Sequence, residues 1–232
     1  MPMRRLFEIV GQYGGFFIVA ILVVVGGTWT LVELTDKVRA GKTETFDEAI
    51  EHFVADHPGP PWLLEMGRDV TALGGVAVLA LVVMAVVGYL FLRGAYGALW
   101  LVVVATSGGL ALSSVLKYSV QRDRPTIVEH RSAIYTSSFP SRHSMLSAVV
   151  YLTLGSLLAR LAKERIVKFY FLSIALLLTG LVGVSRVYMG VHWPTDVLAG
   201  WTAGLVWAAL CWAVTRYLQR RGAVERDYES EL

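Results

Sequence analysis

Six long apolar runs, none of which contains a charged residue, most constrain how this chain can fold. A helix of about 20 residues crosses the roughly 30 Å hydrocarbon core of a bilayer, and the runs approach that length at 14–32, 70–92, 94–116, 144–159, 169–184 and 197–215. With 55% hydrophobic residues, the chain is also more apolar than an ordinary soluble domain. Backbone groups in lipid must be hydrogen-bonded internally, and these runs lack the alternation of barrel strands. The sequence therefore predicts an all-α polytopic membrane protein with six transmembrane helices.

The boundaries of these runs give further expectations. The fourth and fifth runs are short as uncharged segments, so we expect their helices to extend into the flanking residues. Only Arg93 and Gly94 separate the second run from the third, which predicts a tight turn there. A cleaved signal peptide is the alternative for the first run, because Arg4 and Arg5 precede it. The length of this run and the lack of a small-x-small cleavage site favour a retained anchor.

The connection between the first two runs, the outer loop 33–69, contains an element of its own. Thr45 and Glu48 match the spacing of a capping box, and apolar residues recur at helical spacing before the proline-rich segment 58–61, namely at Phe46, Ala49, Ile50, Phe53 and Val54. This pattern predicts an amphipathic helix that lies on the membrane surface or over the bundle. Such a helix either covers apolar helix ends or gates the access of a substrate. No repeat or second soluble domain is visible, so residues 1–232 are expected to form a single membrane-embedded domain.

The basic residues of the short connections predict the orientation of the chain. If the amino terminus is cytoplasmic, the inside set is Arg4, Arg5, Arg93, Arg160, Lys163, Arg165, Lys168, Arg216, Arg220, Arg221 and Arg226. The basic residues on the other side lie in the long, net acidic loop 33–69, where the positive-inside rule counts little, or in three polar stretches. We therefore expect both termini in the cytoplasm. The single cysteine, Cys211, has no partner and predicts no disulfide.

The three polar stretches fall where apolar runs end, so a folded bundle would bring them together at one membrane face. The first holds Lys117 and Arg124, and each of these cations alone is also typical of snorkelling at the interface. The second stretch, residues 140–143, immediately precedes the fourth run. A serine and the unpaired amides at a helix amino terminus favour an anion. Taken alone, however, Ser141 is equally typical of an N-cap and His143 of an interfacial histidine.

The third polar stretch joins Ser185 and Arg186 to His192 and Asp196, and Pro194 suits the first turn of the sixth helix. If that helical turn reaches back to His192, the carboxylate four residues later holds one imidazole nitrogen. The other nitrogen is then unprotonated, as a nucleophile requires. A structural pair that fixes the helix start is the alternative. A metal site is disfavoured, because no cluster of three or four ligands is visible and the nearby arginines would repel a cation.

Together the stretches read Lys-x6-Arg-Pro, Pro-Ser-x-His and Ser-Arg-x5-His-x3-Asp between Lys117 and Asp196. This order and spacing resemble the three-part signature of the type-2 phosphatidic acid phosphatase superfamily. The resemblance implies a phosphate cradle that includes backbone amides and the side chains of Lys117, Arg124, Ser141, Arg142 and Arg186. It further implies that His192 attacks phosphorus, Asp196 orients it, and His143 protonates the leaving oxygen. Family members commonly have glycine where this chain has Arg142, which puts in doubt a close backbone approach to phosphate there.

The resemblance to the bacterial membrane branch of this family also implies an activity. The implied enzyme hydrolyses a lipid phosphomonoester or diphosphate through a phosphohistidine intermediate, without metal or other cofactor, at the outer face of the bacterial cytoplasmic membrane. Candidate substrates are phosphatidic acid, phosphatidylglycerol phosphate and a polyprenyl diphosphate such as undecaprenyl diphosphate. Membrane lipids are the expected partners, with no nucleic acid and no obligate protein partner. Vanadate-dependent haloperoxidases share the motifs but resemble soluble proteins. The alternative function is an anionic-lipid transporter or scramblase that binds head groups with the same basic residues.

Overall fold

A bundle of α-helices makes up the part of the chain that the computed structural model describes, residues 2–127 and 137–221. No strand is found within those two ranges, so the all-α prediction is confirmed. The helices are α1 (Pro2–Arg39), α2 (Glu44–Asp56), α3 (Pro61–Ala72), α4 (Val76–Leu92), α5 (Tyr96–Ser119), α6 (Arg142–Leu161), α7 (Arg165–Tyr188) and α8 (Pro194–Arg220).

Six membrane spans result when the bent pair α3 and α4 is counted as one. The other five are α1, α5, α6, α7 and α8, each long and apolar enough to cross a bilayer. Helices α6 and α7 extend beyond the fourth and fifth apolar runs on both sides, as expected. Gly94 has a φ of 68°, in the left-handed region that glycine enters readily, and it forms the predicted tight turn before α5.

The second span is broken between α3 and α4, with a bend of 47°. Residues 73–75 form a turn between the two helices. Gly74 in this turn lies against the first turn of α6. A Cβ atom at Gly74 would lie 2.3 Å from Cγ1 of Val182 and 3.4 Å from Cβ of His143. The break therefore brings the end of α3 close to α6 and α7, which a straight helix starting at residue 70 would not do.

Helix α6 lies at the centre of the bundle and packs against α5, α7 and α8. Its residues Met145, Val149 and Val150 are almost completely buried. Two glycines on one face of α8 allow the closest approach: a Cβ atom at Gly200 would lie 2.6 Å from the carbonyl oxygen of Ser141, and one at Gly204 would lie 2.6 Å from that of Met145. Larger side chains at these positions would push α8 away from the amino terminus of α6.

The outer-loop helix α2 differs from its prediction in where it starts. It begins at Glu44 with Thr43 as the N-cap, and no side chain caps it, so the predicted capping box at Thr45 and Glu48 is wrong. It packs over the bundle against α7 and α8. The residues that it buries are two acidic ones, since Asp47 and Glu51 are both 0% exposed. The apolar face points outward, with exposed side chains that include Phe46 and Phe53.

Candidate active site

The three polar stretches meet at one end of the bundle. They come from the end of α5, the segment that follows it, the start of α6, the end of α7 and the start of α8. Lys117 lies within electrostatic range of Arg124, Arg142, Arg186 and Asp196. His143 lies within range of Lys117, Arg142, Arg186 and His192. Together with Ser141, whose N–H donates to the Asp196 carbonyl oxygen at 3.0 Å, all eight predicted site residues are therefore neighbours.

His192 and Asp196 form a buried pair at the start of α8. Nδ1 of His192 faces Oδ2 of Asp196 at 3.4 Å, and the same Oδ2 accepts the N–H of Trp193 at 3.0 Å. The sequence predicts this pairing on the condition that the helical turn includes His192. That condition is not met, because α8 begins at Pro194. Instead, the carboxylate folds back over the helix start and reaches the imidazole from there. The pair is thus held without His192 being helical.

The second nitrogen of His192 faces a cation. Nη1 of Arg124 lies 3.5 Å from Nε2 of His192, and Arg124 is held there by hydrogen bonds to the carbonyl oxygens of Val191 and Ser137. Burial lowers the pKa of His192 to about 4, with Arg186 and Arg124 adding to the effect and Asp196 opposing it. The imidazole is therefore neutral at pH 7. With Nδ1–H directed to Asp196, Nε2 is unprotonated, and its lone pair accepts the long hydrogen bond from Arg124.

The remaining cations surround this histidine. Nζ of Lys117 donates to the carbonyl oxygen of Ser137 at 2.8 Å, and Nη1 of Arg186 donates to the Thr71 hydroxyl at 3.1 Å. The Nε atoms of Arg142 and Arg186 are buried and have no hydrogen-bond partner among the described residues. Unsatisfied buried N–H groups on cations are costly unless an acceptor meets them. An anion with several oxygens satisfies this requirement, and a carboxylate or phosphate fits arginine geometry best.

The amino terminus of α6 supplies further donors. Ser141 is the N-cap, as one of the two interpretations of this residue expects, and its Oγ accepts hydrogen bonds from the N–H and hydroxyl of Ser144 at 3.4 and 2.9 Å. The hydroxyl proton of Ser141 remains available to a further acceptor. The first-turn amides of Arg142 and His143 have no intrahelical partner, because an α-helix leaves its first N–H groups unpaired. Capping and anion binding are thus compatible at Ser141.

Three residues next to the site were not found by sequence reasoning: Arg122, Thr195 and Asp47. Arg122 donates from Nη1 to the Thr195 hydroxyl and to Oδ1 of Asp196, both at 2.8 Å, and from Nη2 to Oδ2 of Asp47 at 2.7 Å. Asp47 also accepts the N–H of Thr195 at 2.9 Å and its hydroxyl at 2.6 Å. One feature of the sequence pointed to Asp47, since Asp47 and Glu51 are four residues apart and so share a helical face. Arg122 and Thr195 are too distant in the sequence for any local spacing to relate them to Asp47.

Comparisons with known proteins identify the family. The sequence profile of the PAP2 superfamily matches residues 97–220. The chain is 36% identical over 180 residues to phosphatidylglycerophosphatase B of Bacillus subtilis, covering 75% of this chain and 85% of that protein. It is 30% identical over 102 residues to undecaprenyl-diphosphatase of Sulfolobus acidocaldarius, covering 41% of this chain and 44% of that protein.

Two solved structures share the fold. The crystal structure of a transmembrane PAP2-type phosphatidylglycerolphosphate phosphatase from Bacillus subtilis superimposes with a TM-score of 0.79 at 29% identity, covering 86% of this chain and 98% of that one. The crystal structure of Aquifex aeolicus LpxE superimposes with a TM-score of 0.58 at 20% identity, covering 72% of this chain and 94% of that one. The second likeness concerns the fold alone.

Proposed function

The chain belongs to the PAP2 superfamily and is a membrane lipid phosphatase, and from this premise we propose that it hydrolyses a lipid phosphomonoester or diphosphate through a phosphohistidine on His192. The observation that carries the proposal is the setting of His192 itself. One imidazole nitrogen faces Asp196 and the other faces Arg124, inside a group of cations. This is the arrangement that a nucleophile toward a phosphoryl group needs.

The first chemical step forms a bond between Nε2 of His192 and phosphorus, and breaks the bond between phosphorus and the lipid oxygen. Lys117, Arg124 and Arg186 stabilise the charge that spreads over the equatorial phosphoryl oxygens. His143 donates a proton to the departing lipid oxygen, which takes the electron pair of the broken bond. Asp196 stabilises the positive charge that develops on the imidazole.

The second step releases phosphate. A water molecule attacks phosphorus, the bond from phosphorus to Nε2 breaks, and the electron pair returns to the imidazole of His192. His143, neutral after the first step, accepts the proton of the attacking water and so returns to its starting state. The products are inorganic phosphate and the dephosphorylated lipid, or a lipid monophosphate when the substrate is a diphosphate.

Phosphatidylglycerol phosphate is the substrate that we propose first. The Bacillus subtilis relative that carries this activity in its name matches 75% of this chain, whereas the relative named undecaprenyl-diphosphatase matches 41%. Phosphatidic acid shares the monoester group and is the second candidate. A polyprenyl diphosphate is the third, because the Nε of Arg142, which has no partner within 2–127 and 137–221, offers a donor beyond the first phosphate.

We also propose that the site lies on the outer face of the cytoplasmic membrane, with both termini in the cytoplasm. The site occupies the end of the bundle at which α5 and α7 finish and α6 and α8 begin. Described basic residues of the predicted inside set belong to the connections and helix ends at the opposite end: Arg93, Arg160, Lys163, Arg165, Lys168 and Arg216. The positive-inside rule places that end in the cytoplasm. Arg226, part of the same prediction, lies outside the described residues.

Phosphate release from a panel of lipid phosphates tests the proposed function. Purified protein in detergent micelles is given each candidate lipid with EDTA present, with and without vanadate, and His192→Ala serves as the matched control. We expect release with EDTA, inhibition by vanadate, which mimics the trigonal-bipyramidal transition state, and no release by the variant. Lipid transport without phosphate release would favour the transporter alternative. Inhibition by EDTA that Mg²⁺ reverses would contradict the mechanism.

A further inference from the structure

The outer-loop helix α2 is joined to the catalytic pair through a buried chain of charged side chains. We infer that Asp47 and Arg122 are positioning residues, which hold Asp196 in the orientation that serves His192. This inference rests on the proposed function, because it assigns Asp196 the task of orienting the nucleophile. Neither residue belongs to the three polar motifs as the signature defines them, since Arg122 occupies one of the variable positions between Lys117 and Arg124.

The two oxygens of Asp196 have three partners. Oδ1 accepts from Nη1 of Arg122 at 2.8 Å, while Oδ2 faces Nδ1 of His192 at 3.4 Å and accepts the N–H of Trp193 at 3.0 Å. A carboxylate held at one oxygen cannot rotate about its terminal torsion without losing that charge-assisted hydrogen bond. Arg122 at Oδ1 and the Trp193 N–H at Oδ2 therefore fix the plane of the carboxylate together, and with it the direction in which the imidazole is held.

Asp47 fixes Arg122 in turn. Its Oδ2 accepts from Nη2 of Arg122 at 2.7 Å, so the guanidinium is held between two carboxylates by two of its nitrogens. Asp47 also accepts both donors of Thr195, the residue next to Asp196. Asp47 and Asp196 are completely buried, and the Arg122 side chain is 13% exposed. Buried ion pairs of this kind are costly to leave half made, so loss of one member disturbs the others.

The buried series Asp47, Arg122 and Asp196 also affects the electrostatic environment of the His192 imidazole. Asp196 faces its Nδ1, while Arg124, Arg186 and His143 face it from the segment after α5, from α7 and from α6. Glu51 of α2 adds a further carboxyl near Asp196. Removing the positive charge of Arg122 strengthens the pull of Asp196 on the imidazolium and raises the pKa of His192. Removing the negative charge of Asp47 has the opposite effect and lowers the pKa of His192.

This difference in sign separates positioning from a purely structural tie between α2 and α8. A structural tie predicts that Asp47→Asn and Arg122→Gln both destabilise the protein and have similar consequences at the site. If Asp47 and Arg122 instead act as a relay that positions Asp196, each substitution lowers kcat with little change in KM. The two substitutions also shift the acid limb of the pH profile of kcat/KM in opposite directions. Arg122→Gln should move that limb to higher pH by about one pH unit, and Asp47→Asn should move it to lower pH.

The experiment compares four proteins in detergent: wild type, Asp47→Asn, Arg122→Gln and, as the matched control, Glu48→Gln. Glu48 is the next acidic residue on α2 and is exposed. The probe is phosphatidic acid in mixed micelles, assayed across pH, and thermal melts report folding. We expect kcat to fall about 10- to 100-fold in the two relay variants, with KM within about twofold, and no change in the control. The double variant Asp47→Asn/Arg122→Gln should lose no more than Arg122→Gln alone, because the two residues act as one unit.

Two further measurements keep the outcome decisive. If Arg122→Gln does not fold, Arg122→Lys and the Asp47→Asn variant carry the comparison. NMR titration of the His192 imidazole in isotope-labelled protein follows its pKa without turnover, so it tests the relay even if no lipid is hydrolysed. An inactive wild type would then count against the proposed function alone. Asp47→Asn that matches Glu48→Gln in rate and in His192 titration would overturn the relay.

Discussion

Nη1 of Arg124 lies 3.5 Å from Nε2 of His192, on the side of the imidazole away from Asp196. A phosphoryl oxygen bound by this guanidinium brings phosphorus next to the unprotonated nitrogen. In the proposed mechanism the cation thus binds the group that the histidine attacks, and it also disfavours protonation of the same nitrogen. Both effects act in the direction of nucleophilic catalysis.

Substitution of His192 and of Asp196 should have unequal effects. His192→Ala should abolish phosphate release, because no group remains to attack phosphorus. Asp196→Asn should lose about 10²- to 10⁴-fold in kcat, because the imidazole keeps its lone pair but loses its orientation and favoured tautomer. Rapid-quench trapping of acid-labile phosphate should find it on His192 in the wild type. Phosphate trapped on His143 instead would reverse the two assignments.

The need for His143 should depend on the leaving group. His143→Ala should be strongly impaired on a lipid phosphate, whose alkoxide leaves poorly without a proton. With an activated aryl phosphate, which leaves without protonation, the same variant should recover part of the lost rate, whereas His192→Ala should not. The measurement is the ratio of kcat/KM on the two substrates for each variant. An equal loss by His143→Ala on both substrates would argue that this residue is not the general acid.

Arg142→Gly should change substrate preference more than it abolishes turnover. Nε of Arg142 is buried and unpartnered among the described residues, so it is placed to bind an anion in addition to the phosphate held at the first-turn amides. Removing the side chain should therefore reduce kcat/KM more on a polyprenyl diphosphate than on phosphatidic acid, by about 10-fold for one charge-assisted hydrogen bond. Equal losses on the two lipids would remove the second-phosphate contact.

The proposed orientation predicts which loops are accessible from outside the cell. In a Cys211→Ala background, a cysteine at the exposed Thr126, beside Arg124 in sequence, should react with an impermeant thiol reagent in intact cells. A cysteine at the exposed Glu164, in the connection between α6 and α7 at the other end of the bundle, should react only after the membrane is opened. Met189 is 4% exposed, so it is a poorer labelling position than its place near the site suggests. The reverse pattern of labelling would invert the topology.

Glu51 should make stability depend on pH. Both of its carboxyl oxygens are buried and unpartnered among the described residues, and burial, with Asp47 and Asp196 nearby, raises its pKa from 4.5 to about 8. Between those two values the folded protein binds a proton that the unfolded chain has released, so this group lowers stability as pH rises from about 4.5 to 8. The melting temperature in detergent should fall across this range in the wild type and less in Glu51→Gln. Glu48→Gln, exposed on the same helix, should keep the wild-type slope, and the same slope in Glu51→Gln would contradict the assignment.

Features of the fold and the site that depend on residues close together in the chain can be predicted from the sequence alone. Each span is recognisable because lipid demands an uncharged helical run of a certain length, and the turn at Gly94 needs only a backbone that tolerates positive φ. The pair His192 and Asp196 is only four residues apart, so their proximity follows from almost any helix start near Pro194. Chemistry that is encoded by short spacing can be read from the chain.

What the sequence did not reveal depends on partners far along the chain. The spacing of apolar residues in α2 predicts an amphipathic helix, but it does not reveal that Asp47 binds Thr195 and Arg122. The break in the second span places Gly74 against Val182, which belongs to another helix. Neither contact has a periodic signature, because each is fixed by the packing of the whole bundle.

The link between α2 and α8 also bears on how the protein is made. Asp47 and Thr195 are 148 residues apart, so a ribosome delivers the first long before the second. During synthesis the Asp47 carboxylate has no partner at the start of α8 until that helix is made and inserted. In the proposed mechanism the active site is therefore complete only once α8 is in place, because a nascent chain that ends before α8 lacks the carboxylate of Asp196.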